Sequence, residues 1–162
     1  MGIDMFTGIV ETKGRLEERT DIGGDCRLVI NTGELSLEAC RTGDSISVSG
    51  ACLTMLDPEP RRFSADVSQE TLSLTILGGV EVGGEVNLEL AMGLEDRMGG
   101  HMVTGHVDGL ARLLSRHEDA RAERFEFEVP PDLAKYIARK GSVCIDGVSL
   151  TVNGVDGNCF DV

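Results

Sequence analysis

Cysteine and histidine are the side chains of this sequence best suited to nucleophilic, acid–base or metal chemistry. The five cysteines are Cys26, Cys40, Cys52, Cys144 and Cys159. Their number is odd and none belongs to a C-x-x-C pair, so their spacing indicates neither a disulfide framework nor a zinc knuckle. We expect reduced thiols, as in cytoplasmic proteins.

Two of the three histidines, His101 and His106, are five residues apart. On a β-strand this spacing places two side chains on opposite faces, where they cannot chelate one ion together. We therefore expect no metal site. Histidine is the residue most often used for proton transfer near neutral pH, but a single histidine such as His106 is more often a structural hydrogen-bonding group.

The other chemically useful residues are equally ambiguous when each is considered alone. A cysteine within Gly-x-Cys-Leu-Thr, as at Cys52, is more often a small buried hydrophobic residue than a catalytic group. Lys140 precedes Gly141 and could simply favour the C-terminus of a short helix. Ser149 and Thr151 alternate as hydroxyls do along any strand. Their interpretation depends on the elements that position them.

Charge and hydropathy exclude two classes of protein. The net charge of −13 and the pI near 4.5 oppose a nucleic-acid partner, which needs clustered Lys and Arg. No run approaches the roughly 18 apolar residues that span a bilayer, and residues 1–4 do not resemble a signal peptide. A hydrophobic content of 41% in 162 residues allows one domain or two small ones.

An internal repeat decides between these two possibilities. Residues 5–10 (MFTGIV) align with residues 102–107 (MVTGHV), and residues 50–54 (GACLT) align with residues 147–151 (GVSLT). Both pairs are offset by 97 positions. A register kept over that distance predicts two similar domains.

We place the first domain at residues 1–100, with residues 1–4 as an extra leader, and the second at residues 101–162. After Phe63 the first copy continues through Asp66 and further strands to Leu90, whereas the second copy stops two residues after Phe160. We therefore expect the second domain to be incomplete, with an unpaired strand edge.

The local pattern of both copies favours short β-strands. Apolar and polar residues alternate at residues 27–30, 45–48 and 125–129, which predicts strands with one buried face. Glycine-containing turn signals separate such runs at short intervals, which is typical of a barrel or sandwich. Short helices are predicted at residues 131–139, which begin with Pro131 and end before Gly141, and at the matching residues 34–40.

Four motifs in order resemble the riboflavin synthase family. They are M-F-T-G-I-V at residues 5–10, G-x-C-L-T at 50–54, G-G-H-x-x-x-G-H at 99–106 and I-D-G-x-S-L-T-V at 145–152. The resemblance covers residues 5–162. It implies an all-β fold of two similar six-stranded antiparallel Greek-key β-barrels, of which the second is truncated in this chain.

The resemblance also implies an activity and an assembly. Members of the family transfer a four-carbon unit between two molecules of 6,7-dimethyl-8-ribityllumazine, without a cofactor, to give riboflavin and 5-amino-6-(ribitylamino)uracil. Each barrel holds one lumazine, and the barrels of neighbouring subunits face each other in a homotrimer gathered by a C-terminal helix that this sequence lacks. We expect a cytoplasmic enzyme with lumazine synthase as a pathway partner and with neither nucleic acid nor membrane as a partner.

By motif position the resemblance carries over two sets of residues. The expected catalytic residues are Ser45, Cys52, His106, Lys140, Ser149 and Thr151. The expected substrate-binding residues are Gly8, Ile9, Val10, Cys52, Leu53, Thr54, Asp66, Val67, Ser68, Gln69, Glu70, Thr71, Gly105, His106, Val107, Lys140, Ser149, Leu150 and Thr151.

The resemblance also suggests roles for these residues. His106 would transfer the proton of the C7 methyl group, with Ser149 and Thr151 as relays or orienting groups. Cys52 would stabilise or add to the electron-poor ring, and Lys140 would favour developing negative charge. The segments around Gly8 and Gly105 would bind the heterocycle through the backbone. Asp66, Ser68 and Thr71 would hold the ribityl chain.

Three alternatives remain open from the sequence. A non-catalytic lumazine or flavin carrier would keep the barrel and lose polar site residues, whereas this chain keeps Cys52, His106, Lys140 and Ser149. A flavin-reductase barrel would need an R-x-Y-[ST] motif, but the only tyrosine is Tyr136, within Lys-Tyr-Ile. A purely structural β-barrel would bind no pteridine.

Overall fold

The computed structural model describes residues 5–162, so the predicted leader at residues 1–4 lies outside the described part of the chain. The described residues are mostly β-strand with short helices, and the all-β prediction is confirmed. The first seven strands are β1 (Thr12–Asp21), β2 (Cys26–Asn31), β3 (Ser45–Val48), β4 (Ala51–Thr54), β5 (Leu56–Glu59), β6 (Arg62–Val67) and β7 (Glu85–Leu90).

These seven strands form one curled antiparallel sheet in the order β4-β3-β7-β1-β2-β6-β5. Strand β4 contacts β6 from the other end of the sheet, so the sheet closes towards a barrel. The alternation predicted for residues 27–30 is confirmed, because Leu28 and Ile30 of β2 are buried in the core and Arg27 is exposed. Strand β3 is instead buried on both faces.

The remaining strands occupy residues 112–161. They are β8 (Arg112–Asp119), β9 (Ala122–Glu128), β10 (Ser142–Ile145), β11 (Val148–Thr151), β12 (Gly154–Asp156) and β13 (Cys159–Asp161). Strands β10 and β11 coincide with β3 and β4 after an offset of 97 residues, as the repeat predicts. The β10–β11 hairpin has the same register as the β3–β4 hairpin, since Ser142 faces Thr151 as Ser45 faces Thr54.

The two sets of strands differ in how their sheets are joined. Strand β7 pairs with β1 on one side and β3 on the other, and it thereby unites the first sheet. Among residues 5–162, no strand bridges β8 and β10 in this way, and the second set forms a β10-β11 hairpin and a separate sheet β12-β13-β9-β8. Its buried core is correspondingly small and contains Val129, Val152 and Phe160.

The helix predicted at residues 34–40 is wrong. This segment consists of turns, because the amide of Cys40 donates to the carbonyl of Leu37, three residues earlier, and the amide of Leu37 donates to Pro60 on another part of the chain. These bonds replace the i to i−4 pattern of a helix. Leu37 is nevertheless buried in the first core, so the segment covers the barrel without being helical.

The other predicted helix is shorter than residues 131–139. Helix α2 spans Pro131–Ala134, and the chain then continues in turns in which Ile137 donates to Ala134 and Gly141 to Ala138. The sequence interpretation missed helix α1 (Gln69–Leu74), although Ser68 is a typical N-cap and accepts a hydrogen bond from the amide of Thr71. No helix in residues 5–162 is long and apolar enough to cross a bilayer.

The two repeats meet at equivalent tight turns. Gly50 and Gly147, which are 97 positions apart, have φ of 86° and 85°. An added Cβ on Gly50 would lie 2.8 Å from the backbone nitrogen of Gly147, and one on Gly147 would lie 3.0 Å from that of Gly50. Both positions therefore require glycine for the backbone conformation and for the close approach of the repeats.

Replacing Gly50 by Ala tests this approach. Gly23 serves as the control because it also has positive φ but has nothing within 4 Å of an added Cβ. Gly23→Ala is expected to lower the free energy of unfolding by about 1 kcal/mol through backbone strain alone. Gly50→Ala is expected to cost about 1–3 kcal/mol more through the clash. Equal losses for the two variants in urea denaturation would contradict the contact between repeats.

Candidate functional site

The opening segment of each repeat crosses over to the other repeat. The two segments first meet at an antiparallel bridge, where the amide of Phe6 donates to the carbonyl of Val103 at 2.8 Å and the amide of Val103 donates back at 3.0 Å. Phe6 and Val103 occupy equivalent positions of the repeat, so the bridge is symmetric. Both side chains are buried.

Beyond the bridge, each segment runs against a strand of the opposite repeat. The carbonyl of Gly105 accepts the amide of Cys52 on β4 at 2.9 Å, and the carbonyl of Gly8 accepts the amide of Ser149 on β11 at 2.7 Å. These two hydrogen bonds are equivalent after the 97-residue offset. Val107 of the second segment packs against the core of the first barrel. Strand β4 therefore gains a hydrogen-bonded neighbour from the second repeat, and β11 gains one from the first repeat.

Glycine is required at both contact points. Gly8 and Gly105 have φ of 75° and 74°, and an added Cβ would lie 2.7 Å from Cβ of Ser149 or 2.5 Å from Cβ of Cys52. The binding of a heterocycle by the segments around these glycines stays a prediction. In the structure, the group that they approach is the backbone of the facing strand.

A cavity of about 300 Å³ opens beside β4. This volume is at the lower end of the range for small-molecule sites. The first repeat lines the cavity with a thiol, a carboxylate and two hydroxyls, and the second repeat adds an imidazole. Its lining residues are Ala51, Cys52, Glu70, Thr71, Leu74, Thr75, Gly105, His106 and Val107.

The cavity brings Cys52 and His106 together across the repeats. His106 is exposed and enters the site of the first barrel, although it belongs to the second repeat. The sequence interpretation had grouped His106 with Ser149 and Thr151 instead. The crossing of the opening segments separates this group, because it carries Gly105, His106 and Val107 over to β4.

Ser149 has a different histidine as its partner. Nδ1 of His101 lies 2.6 Å from Oγ of Ser149, and the amide of His101 donates to the carbonyl of Thr7 at 3.0 Å. Sequence reasoning used His101 only as part of the motif at residues 99–106 and did not propose it as a site residue. Its place in the G-G-H-x-x-x-G-H motif was the signal that could have identified it. The His101–Ser149 pair, half-buried at both residues, forms a second candidate site on β11.

The residue that faces Ser149 across the hairpin cannot supply a thiolate near neutral pH. Cys144 on β10 is paired with Ser149, and burial raises the pKa of its thiol to about 11. All five cysteines are thiols in the described part of the chain. Ser149 and His101 are the two side chains that this site brings into hydrogen-bond contact.

The segment from Asp66 to Thr71 is divided between the surface, the core and the cavity. Asp66 is exposed on β6 and forms a two-pronged ion pair with Arg27 at 2.6 and 2.8 Å, which lowers the pKa of its carboxyl group. Val67 is buried in the core, and Ser68 caps α1, which begins at Gln69. Glu70 and Thr71 line the cavity. A contact of Asp66 and Ser68 with the ribityl chain stays a prediction.

Several predicted residues lie on the same strands but outside the cavity lining. Ser45 is buried on β3 opposite the exposed Thr54, and Leu53 is a core residue of β4. Leu150 and the exposed Thr151 follow Ser149 on β11.

Three further predicted residues lie outside the strands. Lys140 is exposed with φ of 64°, and its Nζ lies 3.4 Å from Oδ1 of Asn153. Ile9 is exposed and Val10 is half-buried, immediately after Gly8. Within residues 5–162, no group of three or more His, Cys, Asp or Glu side chains could hold a metal ion.

Comparison with known proteins matches both repeats to one family. The model of the lumazine binding domain matches residues 7–91 and again residues 104–162. The two matched ranges begin at Thr7 and Thr104, which are 97 positions apart, and together cover most of the chain.

Similar chains include two riboflavin synthases. Riboflavin synthase of Photobacterium phosphoreum is 44% identical over 156 residues, which are 96% of this chain and 72% of that protein. Riboflavin synthase of Bacillus subtilis (strain 168) is 42% identical over 151 residues, 93% of this chain and 70% of that protein.

The fold is also shared with solved structures of LumP. LumP complexed with riboflavin superimposes with a TM-score of 0.86 at 24% identity, covering 97% of this chain and 85% of LumP. LumP complexed with 6,7-dimethyl-8-(1'-D-ribityl) lumazine gives 0.83 at 25% identity, with 97% and 84% covered. The match confirms the barrel fold. In sequence, the chain is more similar to the riboflavin synthases than to LumP. The chain therefore belongs to the riboflavin synthase family and is built from the lumazine binding domain.

Proposed function

We propose that this chain catalyses the dismutation of two molecules of 6,7-dimethyl-8-ribityllumazine. Four carbon atoms pass from one molecule to the other, which gives riboflavin and 5-amino-6-(ribitylamino)uracil. The atoms and electrons of the two substrates equal those of the two products, so the reaction needs no oxidant, reductant or cofactor. The observation that carries the proposal is the pair of equivalent strands, β4 and β11, each with a nucleophilic side chain and a histidine.

A duplicated site suits a reaction between two copies of one molecule. Holding both reactants in a productive orientation can supply roughly 7–11 kcal/mol of the barrier. The lumazine itself brings an acidic C7 methyl group and an electrophilic ring. The protein has to bind two heterocycles, move protons and exclude water.

The first site is the cavity beside β4. His106 and Cys52 both line this cavity. His106 would exchange a proton with a bound heterocycle, and the thiol of Cys52 would stabilise or add to the electron-poor ring. Glu70 and Thr71 supply polar groups for the ribityl hydroxyls. Gly105 and Val107 provide backbone and an apolar wall.

The second site is built around Ser149. The 2.6 Å contact between Oγ of Ser149 and Nδ1 of His101 pairs a hydroxyl with a base, the arrangement that activates serine for proton transfer. Thr151 lies on the same strand two residues further and therefore on the same face. Lys140, near the start of β10, supplies positive charge for the anion that forms when the methyl proton leaves.

The proposal extends to the organisation of the protein. The two lumazine-binding domains lie within residues 1–100 and 101–162, and the first site of one subunit faces the second site of its neighbour in a homotrimer. The large apolar side chains of Leu110, Leu113 and Leu114 are exposed in the single chain. Such a surface is typical of one that packs against another protein surface, which supports the association of subunits. We place the enzyme in the cytoplasm, where its thiols stay reduced, with lumazine synthase as its pathway partner.

The similarity to LumP favours one other function, that of a lumazine or flavin carrier. A carrier binds the ligand and does not turn it over. Incubation of the protein with 6,7-dimethyl-8-ribityllumazine distinguishes the two functions. We expect one riboflavin and one pyrimidine product for every two lumazines consumed, measured by absorbance and chromatography. Binding without consumption would support the carrier and contradict the enzyme.

Replacing His106 by Ala tests the proton-transfer role in the first site. We expect turnover to fall about 10²- to 10⁴-fold, the usual worth of a general acid–base group, while fluorescence titration still detects lumazine binding. His117→Ala is the matched control because His117 is exposed on β8 and outside the cavity. Unchanged turnover of His106→Ala would remove His106 from the mechanism.

Replacing Ser149 and His101, singly and together, tests the second site. If the two side chains act as one unit, Ser149→Ala and His101→Ala should each lower turnover about 100-fold. The double variant should be no slower than the slower single variant. If the loss of turnover in the double variant equals the product of the two single losses, the residues act independently.

A further inference from the structure

A buried carboxylate lies behind the second site, on a strand of the first barrel. Glu89 on β7 is 5% exposed. Its Oε1 accepts hydrogen bonds from the amide and the hydroxyl of Thr7, both at 2.6 Å, and its Oε2 accepts the amide of Gly8 at 3.0 Å. Burial of a carboxylate is costly unless its oxygens are satisfied, and these three donors satisfy both of them.

The residues that Glu89 holds are the ones that hold the His101–Ser149 pair. The carbonyl of Thr7 accepts the amide of His101 at 3.0 Å, and the carbonyl of Gly8 accepts the amide of Ser149 at 2.7 Å. The carbonyl of Thr7 and the amide of Gly8 belong to one planar trans peptide group, so they point in opposite directions. Glu89 therefore fixes one side of this peptide while His101 is attached to the other.

We propose that Glu89 is a positioning residue for the second site, acting on His101 and Ser149 through the backbone of Thr7 and Gly8. This inference rests on the proposed function and names a residue of the first barrel as part of the machinery of the other half-site. A 2.6 Å contact between Nδ1 and Oγ requires both residues to be anchored, and the shared anchor is the segment that Glu89 holds.

Glycine at position 8 makes this anchoring strict. Gly8 adopts φ of 75° and passes so close to Ser149 that an added Cβ would lie 2.7 Å from its Cβ. Glycine can adopt many other backbone conformations unless hydrogen bonds from neighbouring residues hold it in this one. The two hydrogen bonds that Oε1 accepts and the one that Oε2 accepts supply the restraint, because they fix the amides of Thr7 and Gly8.

Replacing Glu89 by Gln tests the proposal in the full-length protein. The side-chain amide keeps one acceptor oxygen and places an NH₂ donor against the amide of Gly8 or that of Thr7, so the segment shifts. We expect kcat for riboflavin formation to fall about 10- to 100-fold, the effect of a misplacement of roughly 1 Å at a reacting group. KM should stay within about twofold because Glu89 is buried behind the Thr7–Gly8 peptide and supplies no group that binds substrate.

The matched control is Glu85→Gln on the same strand. Glu85 is exposed and pairs with Lys13 on the surface, so this variant removes the same charge from β7 without touching the segment. Its kcat should equal that of the wild type. A kcat of Glu89→Gln equal to that of Glu85→Gln would overturn the inference and leave the proposed function intact.

A second measurement separates positioning from a general structural role. If Glu89 acts through Ser149, then Glu89→Gln should lower kcat by less than about twofold when added to Ser149→Ala. The same 10- to 100-fold loss in both backgrounds would overturn the inference, because it would show an effect independent of the pair. A wild-type protein that forms no riboflavin would contradict the proposed function, and the inference with it.

Thr7→Val provides the same test if Glu89→Gln fails to fold. Valine has nearly the shape of threonine, and it removes the hydroxyl that donates to Oε1 while the carboxylate remains. Loss of one such hydrogen bond is expected to lower kcat about threefold to tenfold, again only in the presence of Ser149. An unchanged kcat in a folded Thr7→Val protein would overturn the proposal.

Discussion

The hydrogen bonds from Cys52 to Gly105 and from Ser149 to Gly8 are the interactions on which the rest of this structure depends. Strand β4 is the last strand of its sheet and β11 belongs to a two-stranded sheet, so each has an edge that its own repeat leaves unpaired. An unpaired edge is unstable in isolation, and here each is covered by the opening segment of the other repeat. The two repeats therefore complete each other, and neither candidate site is formed from one repeat alone.

Equivalent scaffolds carry different chemistry in the two sites. In the first hairpin Ser47 faces Cys52, and in the second Cys144 faces Ser149, so the thiol and the hydroxyl have exchanged strands. Cys52 meets His106 at a cavity, whereas Ser149 meets His101 in a short hydrogen bond. A reaction between identical molecules needs one donor and one acceptor of the transferred unit. Two sites with the same backbone and different side chains can distinguish the donor from the acceptor.

Much of this arrangement could be predicted from the sequence because it is local or repeated. Alternation identified β2 and β3, and the 97-residue offset transferred the bounds of β3 and β4 to β10 and β11. The sequence did not predict which histidine meets which side chain, because an alignment of repeats shows equivalence and not contact. The contact of His101 with Ser149 and the position of His106 in the cavity that Cys52 also lines follow from the crossing of the opening segments, a long-range feature without a local signal. The helix predicted at residues 34–40 is wrong for a related reason. The amide of Leu37 donates to the carbonyl of Pro60, which lies on a distant part of the chain.

Hydrogen exchange of the amides of Cys52 and Ser149 tests the crossing most directly. Both amides point away from the neighbouring strand of their own hairpin and donate to the other repeat, so their protection reports only on the crossing segments. We expect both amides to be protected and to exchange at similar rates, through openings that separate the repeats. Exchange of either amide at the rate of an exposed edge strand, while the amides within β3–β4 and β10–β11 stay protected, would contradict this expectation.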